Sequence, residues 1–110
     1  MKVKNMTSNS SGREIANQFI ISEEGHGANG NFIRRETFQS YDSIIAIKTI
    51  WPRKALTLPT MKEIDIVLDE TYWNYSKTTG KYRNQFLNED KKETEKKIKS
   101  GEYRLEDLNK

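Results

Sequence analysis

The sequence predicts an α+β fold: a small antiparallel β-sheet with one or two C-terminal helices packed on or beside it. Three observations lead there. β-branched and aromatic runs recur from Met1 to Leu68. Beyond Tyr72 the apolar spacing changes from alternation to steps of three and four. The Lys/Glu-rich tract from Glu89 to Lys99 is flanked by helix start and stop signals. A single domain is expected over residues 1–110, with 1–68 mainly β, 72–100 helical and 102–108 an edge strand.

The elements follow in order. Met1 to Met6 alternates weakly and is followed by the turn-rich stretch Thr7 to Gly12. Asn17 to Ser22 (NQFIIS) has strand composition, and Phe32 to Tyr41 is expected to pair back on it as a hairpin. Ser43 to Ile50 (SIIAIKTI) is an apolar run that fits a central strand or a short helix, and its length does not decide; a strand with a helical turn at its start is favoured. Trp51-Pro52 removes an amide donor and forces an extended or turn conformation, so the chain to Pro59 reads as a loop. Ile64 to Leu68 is a further strand. Tyr72, Tyr75, Thr79, Tyr82 and Phe86 then fall on one side of a helix that Asp69 or Ser76 would cap, with Gly80 as a weak point. A second helix is marked by Asp90 and Glu93 as a capping box, lysines in the last turns and Gly101 just past the end.

Composition narrows the function classes. The apolar fraction is 34% against 32% charged, so the core is small and eleven aromatics must supply much of it. The chain has no cysteine, which removes disulfides, thiolate metal sites and thiol catalysis. No stretch approaches the length of a membrane span and Met1 to Ser10 lacks the apolar run of an export signal, so no membrane association is expected. Net charge is +3, concentrated in residues 31–62, where six bases face two acids. A basic middle third suits nucleic acid or an acidic protein face, although +4 is modest for a dedicated arm.

The chemistry-bearing motifs are weak. Gly25, Gly27 and Gly30 satisfy the spacing of a dinucleotide-binding loop, but the following run, Asn31 to Phe38, lacks the helix that would meet a pyrophosphate. Asn29-Gly30 is better read as a hairpin turn. His26, the only histidine, has no orienting partner visible in the sequence. Asp65, Asp69 and Glu70 cluster near a strand end without metal-loop spacing, and Asp69 is explained more simply as a cap. No catalytic residue, cofactor site or metal site is assigned, and an enzyme is not expected. Tyr72 to Phe86 interleaves aromatics with Lys77, Lys81 and Arg83, a mixture that suits single-stranded nucleic acid if the bases face outward. Lys77 and Lys81, four apart, would share the outer face of the helix.

The words NQFII, FQSYDSIIA, LDETYWNYSKTTGKYRNQFL and ETEKKIKSGEYRLEDLN resemble a family of small proteins from phages and mobile elements of Gram-positive bacteria, a domain of unknown function. The resemblance runs from Asn17 onward and is most specific between Leu68 and Leu87. It implies a bacterial host cytoplasm and an accessory gene, and it carries no catalytic residues to transfer. Small proteins of such origin often block host machinery, CRISPR–Cas complexes included. The expectation is therefore a non-enzymatic protein that binds and inhibits a host nucleoprotein defence complex, with an oligomeric state that sequence does not set. Arg34, Arg35, Arg53, Lys54, Lys77, Lys81 and Arg83 are the expected contacts. The alternative is a module or regulator that binds RNA or DNA directly, and a metal-assisted nuclease is a third reading.

Overall fold

The β-rich first half translates into structure, and the change to helix does so from Lys77 rather than from Tyr72. The computed structural model describes residues 1–25, 32–52 and 63–110. Along them run β1 (Lys2–Thr7), β2 (Glu14–Glu24), β3 (Arg34–Ser40), β4 (Ser43–Ile50), β5 (Ile64–Asp69), α1 (Lys77–Leu87), α2 (Lys91–Ser100) and β6 (Arg104–Glu106). The strands form one six-stranded sheet in chain order. Every neighbouring pair is antiparallel except β5 and β6, which are parallel. Parallel neighbours need a crossover, and α1 with α2 supplies it.

Register shows which residues share a face. One row across all six strands holds Lys4, Ile20, Phe38, Ala46, Leu68 and Leu105. The adjacent row, on the opposite face, holds Val3, Ile21, Thr37, Ile47, Val67 and Arg104. The helices pack on the first face: the Phe38 and Phe86 rings lie 5.8 Å apart, and Phe38, Ala46 and Leu68 are wholly buried. A bulge between Phe38 and Gln39 leaves Ile45 as the extra residue on β4, and it is buried too.

Two turns correct the expected details. β4 begins without a helical turn, because Ser40 pairs with Ser43 and leaves Tyr41-Asp42 as a tight two-residue connection. Tyr41 accordingly takes a left-handed backbone (φ 55°). The glycine-rich stretch connects antiparallel strands: Glu24 pairs with Arg34, and the Gly25 amide donates to the Ile33 carbonyl at 2.9 Å. Strand β3, not a helix, follows the glycines. His26 and its neighbours in 26–31, and the 53–62 link, lie outside the described residues.

The helical stripe is cut short at its start. α1 begins at Lys77, so Tyr72 and Tyr75 precede it and only Thr79, Tyr82 and Phe86 of the expected five are buried on it. Two caps explain the boundary. Asp69 accepts from the Thr71 and Tyr72 amides at 3.0 and 2.7 Å and folds 69–72 into a turn of its own. Ser76 then accepts from the Thr79 amide at 3.1 Å and opens α1. Tyr75 is left 69% exposed. α2 follows its sequence signals: Asp90 accepts from the Glu93 amide at 2.9 Å, and Gly101 ends the helix with φ 85°.

Candidate functional site

α1 is held by burial on one side and presents bases on the other. On the buried side the Thr79 hydroxyl lies 3.0 Å from that of Ser40 and receives a bond from Ser76 Oγ at 3.2 Å, which pins the helix start over the end of β3. At the far end Lys48 of β4 donates to the Phe86 carbonyl at 3.4 Å, a cation at a helix C-terminus that has no base of its own in its last turn. On the outer side Lys77 and Lys81 are exposed, one turn apart, and neither makes an ion pair among the described residues. Lys81 Nζ rests 5.4 Å from the Tyr82 ring.

Arg83 overturns its expected place. It is 1% exposed and therefore no outward contact. The helical period gives the reason: Arg83 stands four residues after Thr79 and three before Phe86, on the buried side. Its Nη1 donates to the Trp73 carbonyl at 2.8 Å and to Asn74 Oδ1 at 3.3 Å, and its Nη2 donates to Asn84 Oδ1 at 2.9 Å. The guanidinium carbon lies 5.3 Å from the Trp73 ring centre. Burial holds its pKa below the usual arginine value, against the opposing pull of Glu89 and Glu95. It braces the turn that precedes α1.

A groove of about 600 Å³ opens beside this helix start, lined among others by Lys77, Lys81, Arg83 and Lys91. A second, of about 450 Å³, shares Lys81 and Asn84 with it and is walled by Ser8, Ser10 and Gln85. Among the described residues neither groove has a carboxylate in its lining. Lys91 was not among the residues singled out from sequence. It belongs to the next helix, and only the α1–α2 turn brings it alongside.

The remaining expected contacts sit elsewhere. Arg34 and Arg35 alternate across β3 and so face opposite sides of the sheet. Arg34 reaches Glu36 at 3.3 Å; Arg35 stacks 4.3 Å over the Phe32 ring, 4.0 Å from Glu23. Arg34 lies six positions along β3 from Ser40, roughly 20 Å at strand rise, so the pair does not join the groove at Thr79. Arg53 and Lys54 lie outside the described residues. The described bases of the middle third thus form no single patch: Arg34 and Arg35 approach carboxylates, and Lys48 turns inward to α1.

The carboxylates near the end of β5 have separate partners. Asp65 bonds Arg104 at 2.6 Å. Asp69 accepts at Oδ1 from the Leu108 amide at 2.8 Å, besides the two amides of its own turn. Burial raises its pKa, and the amides of Leu108, Tyr72 and Thr71 outweigh that and hold it below the ordinary aspartate value. Among the described residues no three such side chains converge.

Beneath α2 lies a network that sequence reasoning missed. Glu89 Oε1 takes bonds from Lys97 Nζ at 2.8 Å and the Tyr103 hydroxyl at 2.7 Å, while Oε2 takes one from the Thr94 hydroxyl at 2.7 Å. Burial works against the ionised Glu89, but the bonds from Lys97, Tyr103 and Thr94 leave its pKa lowered. The bond that Lys97 donates to Glu89 raises the Lys97 pKa, and burial together with Glu89 pushes Tyr103 up to about 12. The network ties α1, α2 and the approach to β6 together. It is structural chemistry.

Fold and site together define a class: a small α+β domain with a one-sided helical layer and a base-lined groove where that layer begins. Residues 1–102 match the family of unknown function DUF8033, and the chain belongs to that family. No curated protein and no solved structure matches it. No described helix is long and apolar enough to cross a membrane.

Proposed function

We propose that this is a non-enzymatic accessory protein of phages or mobile elements that binds a host nucleoprotein defence complex in the bacterial cytoplasm and inhibits it, as anti-CRISPR proteins do. The observation that carries the binding surface is the outer face of α1. There Lys77 and Lys81 stand exposed, without an ion pair among the described residues, over a groove whose lining holds bases and no carboxylate. A groove lined by bases and uncharged polar groups, with no carboxylate among the described lining residues, favours an anionic partner. The chain's likeness to small phage and mobile-element proteins supplies the setting.

The test is capture of host components from lysate, with protein and RNA both identified, by the native chain and by Lys77→Glu/Lys81→Glu. Recovery of a defence nucleoprotein by the native chain alone, with loss of that complex's activity on addition of the chain, supports the reading. Recovery of none from a competent host defeats it. The same groove also favours a second reading, direct RNA or DNA binding, because its bases and the neighbouring amide and hydroxyl groups suit a phosphodiester strand. A gel shift of bare nucleic acid at low salt, abolished by the same double substitution, would support that instead.

A further inference from the structure

Three features meet at the start of α1. The first is the helix terminus itself. α1 has eleven residues and no acid in its first turn, and Lys77 stands there against the helix dipole. Ser76 satisfies the Thr79 amide, while the Lys77 and Thr78 amides have no acceptor among the described residues. The second is Arg83. A buried guanidinium normally faces a carboxylate, yet every oxygen that Arg83 contacts is neutral, and its Nε–H has no acceptor among the described residues. Glu89 and Glu95 act on it only at longer range; Glu89 is engaged with Lys97, Tyr103 and Thr94, and Glu95 lies 3.8 Å from Lys91. The third is the groove of about 600 Å³ that Arg83 lines together with Lys77, Lys81 and Lys91. That volume falls in the range of small-ligand sites, roughly 300–1,000 Å³.

We infer that this groove is a phosphate-binding site, in which a phosphate group lies against the Lys77 and Thr78 amides and between the Lys77 and Lys81 ammonium groups, with Arg83 as the fixed positive charge below and Lys91, paired with Glu95, at the margin. A bound oxyanion would satisfy the free amides, offset Lys77 at the positive end of the helix and give Arg83 the counter-charge it lacks. The inference rests on the proposed reading in taking the α1 face as the contact surface, and it deepens that reading by naming the group recognised. The phosphate comes either from a nucleic-acid backbone or from a small phosphorylated molecule, and both present the same oxyanion.

The test is a titration of the ¹⁵N-labelled chain, followed through amide and arginine Nε–H signals, first with inorganic phosphate and then with a ten-nucleotide single-stranded RNA. Saturable shifts centred on Lys77, Thr78, Gly80 and the Arg83 Nε–H are expected. In Lys77→Ala/Lys81→Ala, whose changes are at exposed positions, binding weakens about tenfold or more. If a strand is the source, RNA binds more tightly than phosphate at these residues, and the double substitution lowers the slope of log K against log salt by about 1.4, at about 0.7 per contact. If a small molecule is the source, phosphate binds there and RNA adds nothing. Shifts that are absent, spread over lysines throughout the chain, or unchanged in the double variant would overturn the site. Because Arg83 also braces the Trp73 turn, Arg83→Lys is judged only after its thermal midpoint is matched against native. Weakened phosphate binding in a folded Arg83→Lys supports the role of the guanidinium, and unchanged binding removes it. A silent titration beside successful capture of a host complex defeats the phosphate site alone. Phosphate binding beside failed capture defeats the inhibitor reading alone.

Discussion

The two helices, nearly equal in length, are built on opposite principles. α2 complements its own dipole, with Glu93 in the first turn and Lys97 and Lys99 in the last, and it buries only Thr94. α1 has no acid in its first turn and no base in its last, yet it buries Thr79, Gly80, Tyr82, Arg83, Phe86 and Leu87. α2 therefore depends on local electrostatics and on Glu89 beneath it. α1 depends on apolar packing, which leaves its exposed charges at liberty to serve something other than the helix. Lys77, placed in the first turn where it costs stability, calls for a reason outside the fold, and an anionic partner provides one.

The largest effect on this contrast is expected at the packed helix. Phe86→Ala removes the ring that meets Phe38, and a loss of about 3–5 kcal/mol in urea unfolding is expected. Next comes the support of α2. Glu89→Gln keeps the volume but deprives Lys97 of its nearer carboxylate, leaving Glu102 at 3.8 Å, and a loss of about 2 kcal/mol in the same assay is expected. If Glu89→Gln were as damaging as Phe86→Ala, the two helices would not differ as described.

The pH profile sharpens the same point. Glu89 and Asp69 have pKa values lowered by folding, so their contribution is whole above the ordinary carboxylate range and is lost as pH falls through the lowered values. Tyr103 is raised to about 12, and its contribution is whole below the free tyrosine value, about 10, and is lost as pH rises through about 12. Native protein should thus have a flat thermal midpoint through neutral pH and fall at both limits, while Glu89→Gln should show a weaker acid fall. The smallest effect concerns α1. Lys77→Glu places an acid at the helix start and should raise stability by about 0.5 kcal/mol while it weakens partner binding. Lower stability would show that Lys77 serves the fold.

Much of this was legible in advance. The caps of α2 were readable because Asp90, Glu93 and Gly101 act within a few residues of one another. The strands were readable from their β-branched runs, although SIIAIKTI needed the Tyr41-Asp42 turn to show where β4 begins. For the start of α1 the sequence offers Asp69 or Ser76 as cap, and Ser76 is the one used. The stripe counted from Tyr72 is too long because the long-range seating of Asp69, bonded also to Leu108, diverts Tyr72 into a separate turn. Arg83 was misplaced by its charge, although its spacing from Thr79 and Phe86 pointed inward. Lys91 and the Glu89 network depend on how two helices meet, and no pattern within either helix encodes that.

The claim that α1 carries charges for a partner and α2 carries them for itself is tested by exchanging matched pairs. Lys77→Glu/Lys81→Glu on α1 and Lys92→Glu/Lys96→Glu on α2 alter exposed lysines four residues apart in each helix. Affinity for the captured nucleoprotein complex is then measured for both, after equal folding is verified. Binding lost only in the α1 pair is the predicted result. Equal loss in both pairs, or none in the α1 pair, would contradict it.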